Sequence, residues 1–299
     1  MTATLHLTPL DRLYPSRLRS LARPPASLTV RGGPLEATRA VAIVGSRDAS
    51  RDAAAFSHDL ARSVVQCGAV VVSGGALGID GAAHRGALDH GGPTWAVAGT
   101  GCEHCFPPEH ASLFDRIAAG PGAMVWPFPP ASAARAGGFV LRNRVLVALS
   151  DTVVVVQAGV RSGALRAAAC AQALKKPLWV VPAPPWAAGF DGSRHLLDQG
   201  ARPLTSIAAF LRTLELGDVQ QSAGAASPAL EVGGHEPMDP NQFAILSAIS
   251  NVPIHLDEIA EKARATVPRA AAALLTLALE AVVVEGPPGF FRRRDSYKR

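Results

Sequence analysis

Apolar residues in the middle of the chain fall into near-continuous runs rather than alternating ones. RAVAIVG (39–45), GAVVVSG (68–74), TWAVAG (94–99), GAMVW (122–126), DTVVVVQ (151–157) and PLWVVP (177–182) each read as a strand. Successive strand residues point to opposite faces, so such runs require both faces to be covered, as in a parallel sheet between helices. Ala-rich patterns between the runs predict helices at 50–67, 79–90, 109–119, 140–149 and 163–175, with Ser50 as N-cap and Gly68 as stop signal of the first. Alternation over residues 39–215 predicts an α/β domain built on a doubly wound, mostly parallel sheet. Residues 1–38, with Arg12, Arg17, Arg19, Arg23 and Arg31 among Pro15, Pro24 and Pro25, read as an irregular N-terminal extension with one helix. The small, polar, Gly- and Pro-containing stretch 216–238 reads as a linker, and 239–299 as a second, smaller unit.

In that second unit PNQFAILSAIS, LDEIAEKARA and VPRAAAALLTLALE precede AVVVEGPPGFFRRR, three helices and a hairpin in the order of a winged helix. The third helix, which would enter a major groove, carries only Arg269 and ends in Glu280, so it offers little to base edges. A packing or partner-binding module is predicted.

Composition narrows the class. Hydrophobic residues make up 48% of the 299 and charged residues 18%, enough for a sizeable core and too little charge for disorder. The longest apolar candidate, 145–156, is broken by Ser150 and Asp151, and the N-terminus lacks a signal-peptide pattern. Four cysteines, Cys67, Cys102, Cys105 and Cys170, are too few for a disulfide scaffold. A soluble cytoplasmic protein with no membrane partner is expected. The formal charge of +5 keeps nucleic acid and other anions open as ligands, but residues 292–299 alone hold five basic groups and one acid. The charge therefore reports mostly a basic tail beside the hairpin.

Ligands of open parallel sheets bind beyond the carboxyl ends of the strands, near the point where strand order reverses. The loops there are Gly45-Ser46-Arg47, Ser73-Gly74-Gly75, Gly99-Thr100-Gly101 and Gln157-Ala158-Gly159. Glycines admit close backbone approach and helix N-termini offer free amides, so the four loops describe a phosphate-binding rim, with Arg47, Arg142, Arg144 and Arg161 on the same edge. No G-x-x-x-x-G-K-[ST] is present, and the first turn reads GSRDAS rather than G-x-G-x-x-G, so no nucleotide cofactor is implied. Cys102-Glu103-His104-Cys105 with His110 has metal-like spacing but no second pair, and an ordinary loop is preferred over a metal site. Asp80 and His84 lie one helical turn apart; a structural Asp–His hydrogen bond supporting the Gly74–Gly78 loop is preferred over catalysis.

Five blocks carry a resemblance: VAIVGSR (41–47), VVSGGALGIDGAAHRGAL (71–88), GTGCEHCFPPEHASLF (99–114), FVLRNRVLVALSDTVVVVQAGVRSGAL (139–165) and PLWVVP (177–182). In order and spacing they resemble the DNA-processing protein A (DprA, or Smf) family. The resemblance implies an extended Rossmann-like domain that binds single-stranded DNA, forms a homodimer, protects incoming strands and loads the RecA recombinase in natural transformation, without enzymatic turnover. It also implies a C-terminal winged helix, and the N-terminal helical domain found in many relatives is expected to be missing here. Carried over by motif, Arg47 holds a backbone phosphate, while Ser46, Gly74 and Gly101 belong to turns that supply amides. Phe139 offers a face to a base, Arg142, Asn143 and Arg144 line the groove, and Arg161, Ser162 and Gly163 form the following turn.

The chain departs from the family pattern at Val140, Ala164, Arg166 and Ala183, and at Trp126-Pro127, where a Glu is common. The competing reading is a nucleotide phosphoribohydrolase of the Lonely Guy type on a related sheet. It requires a Glu after the fifth strand, and residues 157–167 contain no carboxylate.

Overall fold

The computed structural model describes residues 4–134, 138–215, 240–279, 282–285 and 290–293. The predicted linker 216–238, Glu280, the hairpin turn and the end of the basic tail lie outside them. The chain divides into two compact units, Met1–Gln221 and Ser222–Arg299.

The first unit begins with β1 (Thr4–Leu7), the single-turn α1 (Ser16–Arg19) and β2 (Leu28–Gly32). Then come β3 (Ala40–Val44), α2 (Arg51–Gln66), β4 (Val70–Ser73), α3 (Ile79–Leu88), β5 (Thr94–Val97), α4 (Ala111–Ala119) and β6 (Ala123–Trp126). It continues through α5 (Gly138–Leu149), β7 (Thr152–Val155), α6 (Gly163–Ala173), β8 (Leu178–Val180), α7 (Asp191–Asp198), β9 (Arg202–Pro203) and α8 (Ile207–Glu215). The strands form a nine-stranded sheet in the order β1-β2-β6-β5-β4-β3-β7-β8-β9. Strands β3 to β9 pair in parallel, and β2 joins β6 antiparallel with Val30 opposite Val125.

The predicted two-sided burial is what the sheet shows. Val41, Ile43, Val71, Val154 and Val156 pack with Leu60 and Val64 of α2, Ile79 of α3 and Phe210 of α8. Their neighbours Ala42, Val44, Val72, Val153 and Val155 face the other way, onto Leu18, Leu146 and Ala168 of α1, α5 and α6. Ser50 caps α2 by accepting the Ala53 amide at 3.2 Å, and Gly68, at φ +75°, follows its end.

The N-terminal segment is not the irregular lead-in that its arginines and prolines imply: it extends the sheet by two antiparallel strands. Polar contacts hold it, with the Tyr14 hydroxyl donating to Pro25 O at 2.9 Å. Arg17 donates to Leu149 O at 2.7 Å and to Asp151 at 2.9 Å, and Asp151 also accepts the Ala40 amide at 2.7 Å. The LSD triplet 149–151 is thus a latch at the amino end of the sheet, away from the ligand edge.

The second unit contains α9 (Pro240–Ser247), β10 (Ile254–His255), α10 (Leu256–Lys262), α11 (Val267–Leu279), β11 (Val283–Glu285) and β12 (Phe290–Arg293). Its strands pair antiparallel in the order β10-β12-β11, over a core of Ile245, Ile249, Ile259, Leu274, Leu277 and Val283. This is a winged-helix arrangement. Among the described residues no helix is long and apolar enough to cross a membrane.

Trp95 is the largest fully buried side chain of the sheet. Trp95→Ala is expected to destabilise the first unit by about 3–5 kcal/mol through the cavity it leaves, read as a lowered urea midpoint with unchanged slope.

Candidate nucleic-acid interface

Strand order reverses between β3 and β7, and there a cleft of about 950 Å³ opens at the carboxyl edge of the sheet. Its lining comes from Gly45–Asp48 after β3, Phe106 after β5, Phe139, Arg142 and Asn143 of α5, and residues 159–167 leading into α6.

Hydrogen bonds stitch the loops together. The Ser46 amide donates to Gln157 O at 2.7 Å, and the Ser50 amide donates to Gln157 Oε1 at 2.9 Å. Gly78, at φ +73°, lies so close to the Arg47 loop that a Cβ would fall on Ser46 O, and Ile79 N donates to that same oxygen at 3.1 Å. These contacts fix the backbone of Arg47 while leaving its side chain exposed.

Beneath the cleft lies a buried polar clamp. Arg142 donates through Nη1 to Gly74 O and to Val97 O, the latter at 3.0 Å, and through Nε to Asn143 Oδ1 at 3.0 Å. Asp80 Oδ2 accepts the amides of Gly74 at 3.1 Å and Ala76 at 3.4 Å. A Cβ on Gly74 would fall on Arg142 Nη1 and lie 2.6 Å from Asp80 Oδ2, so only glycine fits between them. Burial pushes the Asp80 carboxyl up against the opposing pull of the Arg142 charge, and burial lowers Arg142 against the pull of Asp80. Asn143 passes the support on, donating to Gly163 O at 3.2 Å where α6 begins.

Above the clamp the half-buried Phe139 ring meets two guanidinium groups, Arg47 at 5.1 Å and Arg142 at 5.6 Å from its centroid, and the Phe106 ring at 6.1 Å. Arg47, Arg161 and Arg166 are exposed, line the cleft, and make no hydrogen bond or ion pair among the described residues. Three free cations around two aromatic rings suit a flexible polyanion that carries planar bases.

A family model described as DNA recombination-mediator protein A matches residues 5–215. The chain belongs to the DNA recombination-mediator protein A family. A DprA winged helix domain model matches residues 221–289. Protein Smf of Escherichia coli is 31% identical over 297 residues, 97% of this chain and 78% of that protein. A DNA processing protein DprA of Mycobacterium tuberculosis is 41% identical over 169 residues, 56% of this chain, and the match spans only 43% of that relative. Among solved structures, DNA processing protein A from Helicobacter pylori, described for its single-stranded DNA binding mode, has a TM-score of 0.65 at 31% identity. That match covers 71% of this chain and 96% of that one.

Of the residues that the family motifs single out, the structure gathers Ser46, Arg47, Phe139, Arg142, Asn143, Arg161, Ser162 and Gly163 around the cleft. Arg144 is not among its lining: two residues beyond Arg142, it is turned about 200° around α5. Three of the amides in the turns expected to act as donors already have partners within the chain. Ser46 N is committed to Gln157 O, Gly74 N to Asp80, and Gly101 N to Ser132 O at 2.8 Å. Gly101 is required because a Cβ there would run into the carbonyls of Pro129 and Pro130. Ser162 caps α6, accepting the Ala164 amide at 3.2 Å.

Asp80 supports the loop after β4 as expected, but without His84. The His84 ring meets Thr94 Oγ1 at 2.8 Å, and Thr94 donates its proton to Val71 O at 3.0 Å, so His84 Nδ1 is the donor. His110 likewise binds Gly75 O at 2.9 Å rather than joining the cysteines.

Among the lining residues that sequence reasoning did not place at the site are Arg166 and Phe106. Arg166 lies four positions after the Ser162 cap, on the same helix face, a spacing that could have revealed it. Phe106, 40% exposed, follows β5 in a carboxyl-edge loop weighed for its Gly-Thr-Gly turn and its cysteines but not for this ring.

Burial pushes the His84 imidazole down to about 3 from its ordinary 6.5. Below pH 6.5 the unfolded chain takes up a proton that folded His84 refuses, so its contribution is present above 6.5 and lost as pH falls from there toward 3. Unfolding free energies from urea melts are expected to fall more steeply between neutral and mildly acidic pH in the wild type than in His84→Gln, by up to about 1.4 kcal/mol per pH unit. Equal falls in both proteins would remove His84 as the cause.

Proposed function

We propose that this member of the family binds single-stranded DNA in the cleft between β3 and β7 and acts as an accessory of recombination. The observation that carries the reading is one cleft lined by three exposed arginines, Arg47, Arg161 and Arg166, and two aromatic rings, Phe139 and Phe106, with Arg47 over the Phe139 ring. Arginines track phosphates whatever the sequence, and an aromatic face accepts any base, so the combination favours single strands without base selectivity. Arg142 and Asn143 hold the loops from below, and Ser162 and Gly163 shape the turn that presents Arg161.

Binding rather than turnover is the role proposed, because Asp80 is tied to two backbone amides and residues 157–167 supply no carboxylate. In the fuller form of the proposal the chain acts in the cytoplasm as a homodimer through its Rossmann-like domain, protects incoming strands and delivers them to the RecA recombinase. That form rests on the family resemblance. The Ala- and Leu-rich α11 supports a packing or partner-binding role for the winged helix, with no cofactor or metal required.

Arg47→Ala is expected to weaken binding to all single-stranded sequences and to flatten the slope of log affinity against log salt by about 0.7, one phosphate's worth on a single strand. Phe139→Ala is expected to weaken binding by about 1–3 kcal/mol at nearly constant slope. Fluorescence anisotropy over a salt series reads both. An unchanged slope for Arg47→Ala would sink the phosphate assignment.

A further inference from the structure

We propose that the single-stranded path does not end at the cleft but continues along the carboxyl edge of the sheet to Trp186, which serves as a second stacking platform for a base. This rests on the single-strand reading above and extends it to a residue that no family motif contains.

Trp186 stands apart from the other tryptophans. Trp95 and Trp126 are buried, and Trp179 is packed edge-on against Phe210 with ring centroids 5.5 Å apart. Trp186 is 85% exposed. A large aromatic side chain left in water has no role in the fold of this unit, and its position decides what it can meet. It sits on the loop after β8, at the same sheet edge as the cleft.

That loop is held rigidly. Arg194 donates to Pro184 O at 3.1 Å and to Ala187 O at 3.2 Å, on either side of Trp186, while pairing with Asp191 at 2.6 Å. Pro182, Pro184 and Pro185 restrict the backbone further. A ring on such a loop stacks with little further loss of entropy.

The loop is also fastened to the cleft wall. Ser193 Oγ accepts the Ala158 amide at 2.9 Å, Ser193 N donates to Ala158 O at 3.0 Å, and a Cβ on Gly192 would lie 2.6 Å from Gly159 O. Gln157, which binds the loop after β3, lies against Gly189 on its other side, where a Cβ would be 2.8 Å from Nε2. The loops after β3, β7 and β8 therefore form one continuous edge. Adjacent strands are about 4.8 Å apart, so the loop after β8 lies about two strand spacings, roughly 10 Å, from the loop after β3. Val160, 71% exposed, and the free Arg161 occupy the middle loop of the three. Arg161 supplies a phosphate contact there, and Trp186 a base contact one strand further out.

The test uses the full chain with oligothymidylates of about 2 nucleotides, too short to reach from the Arg47 loop to Trp186, and about 12 nucleotides. The longer oligomer is expected to quench Trp186 emission and shield it from acrylamide, and the shorter one is not. Trp186→Ala should lose about five- to tenfold in affinity for the longer oligomer only, Trp186→Phe should keep most of that affinity, and both variants should lose the quenching. If the wild type binds the longer oligomer without quenching and Trp186→Ala binds it equally well, the extended path is wrong and the cleft reading stands. If a lowered affinity in Trp186→Ala comes with an altered oligomer mass, Trp186 is a contact between copies and the proposal falls. If the wild type binds neither oligomer, both readings fall together.

Discussion

A guanidinium buried in a protein needs acceptors, and those that Arg142 finds set the geometry of the whole ligand edge. They are the carbonyls of Gly74 and Val97, at the ends of β4 and β5, and the amide oxygen of Asn143. Asp80 takes the amide side of the same Gly74 residue, so one glycine is gripped by a carboxylate and a guanidinium at once. A charge taken out of water costs several kcal/mol unless it is paired and hydrogen-bonded. The clamp therefore ties α5, α3 and two strand ends into one arrangement.

This buried arginine also divides the labour among the basic residues. The one that is hydrogen-bonded to carbonyls cannot move to follow a ligand, whereas Arg47, Arg161 and Arg166 stay in solvent with free donors. Exposed guanidinium groups beside a low-dielectric wall retain their charge and adapt to a flexible backbone. Phe139 joins the two levels, since its ring touches the buried Arg142 and the exposed Arg47. The cleft therefore combines exposed cations at its rim with a hydrogen-bonded polar floor. The amides of Ser46, Gly74 and Gly101 already have partners within the chain, so they are not free to meet a ligand.

Much of the fold was legible because burial on both faces leaves a one-dimensional trace. Runs such as VAIV and TVVVV need no partner to be recognised as interior strands, and Ser50 marks a helix start by its own chemistry. The antiparallel strands β1 and β2 left no such trace. Arginines and prolines surround them, and β2 is held by pairing with β6, nearly a hundred residues away in the chain. The motifs named Arg47, Phe139, Arg142 and Arg161, and the structure gathers these four at one cleft. Arg144, carried to the groove by the same motif, does not line that cleft, because two positions along a helix point to different sides.

By itself the sequence determined the class of the sheet, the order of its elements and several of the arginines that stand at its carboxyl edge. These follow from local patterning, which each segment carries whatever its neighbours do. Only the tertiary structure decided which groups are free. Whether an amide or a guanidinium is available depends on what lies across from it, and those partners, Gln157 for Ser46, Asp80 for Gly74, Ser132 for Gly101 and Thr94 for His84, come from other segments of the chain. Hydrogen-bond saturation is a property of three-dimensional neighbours, and it separated the floor of this site from its working rim.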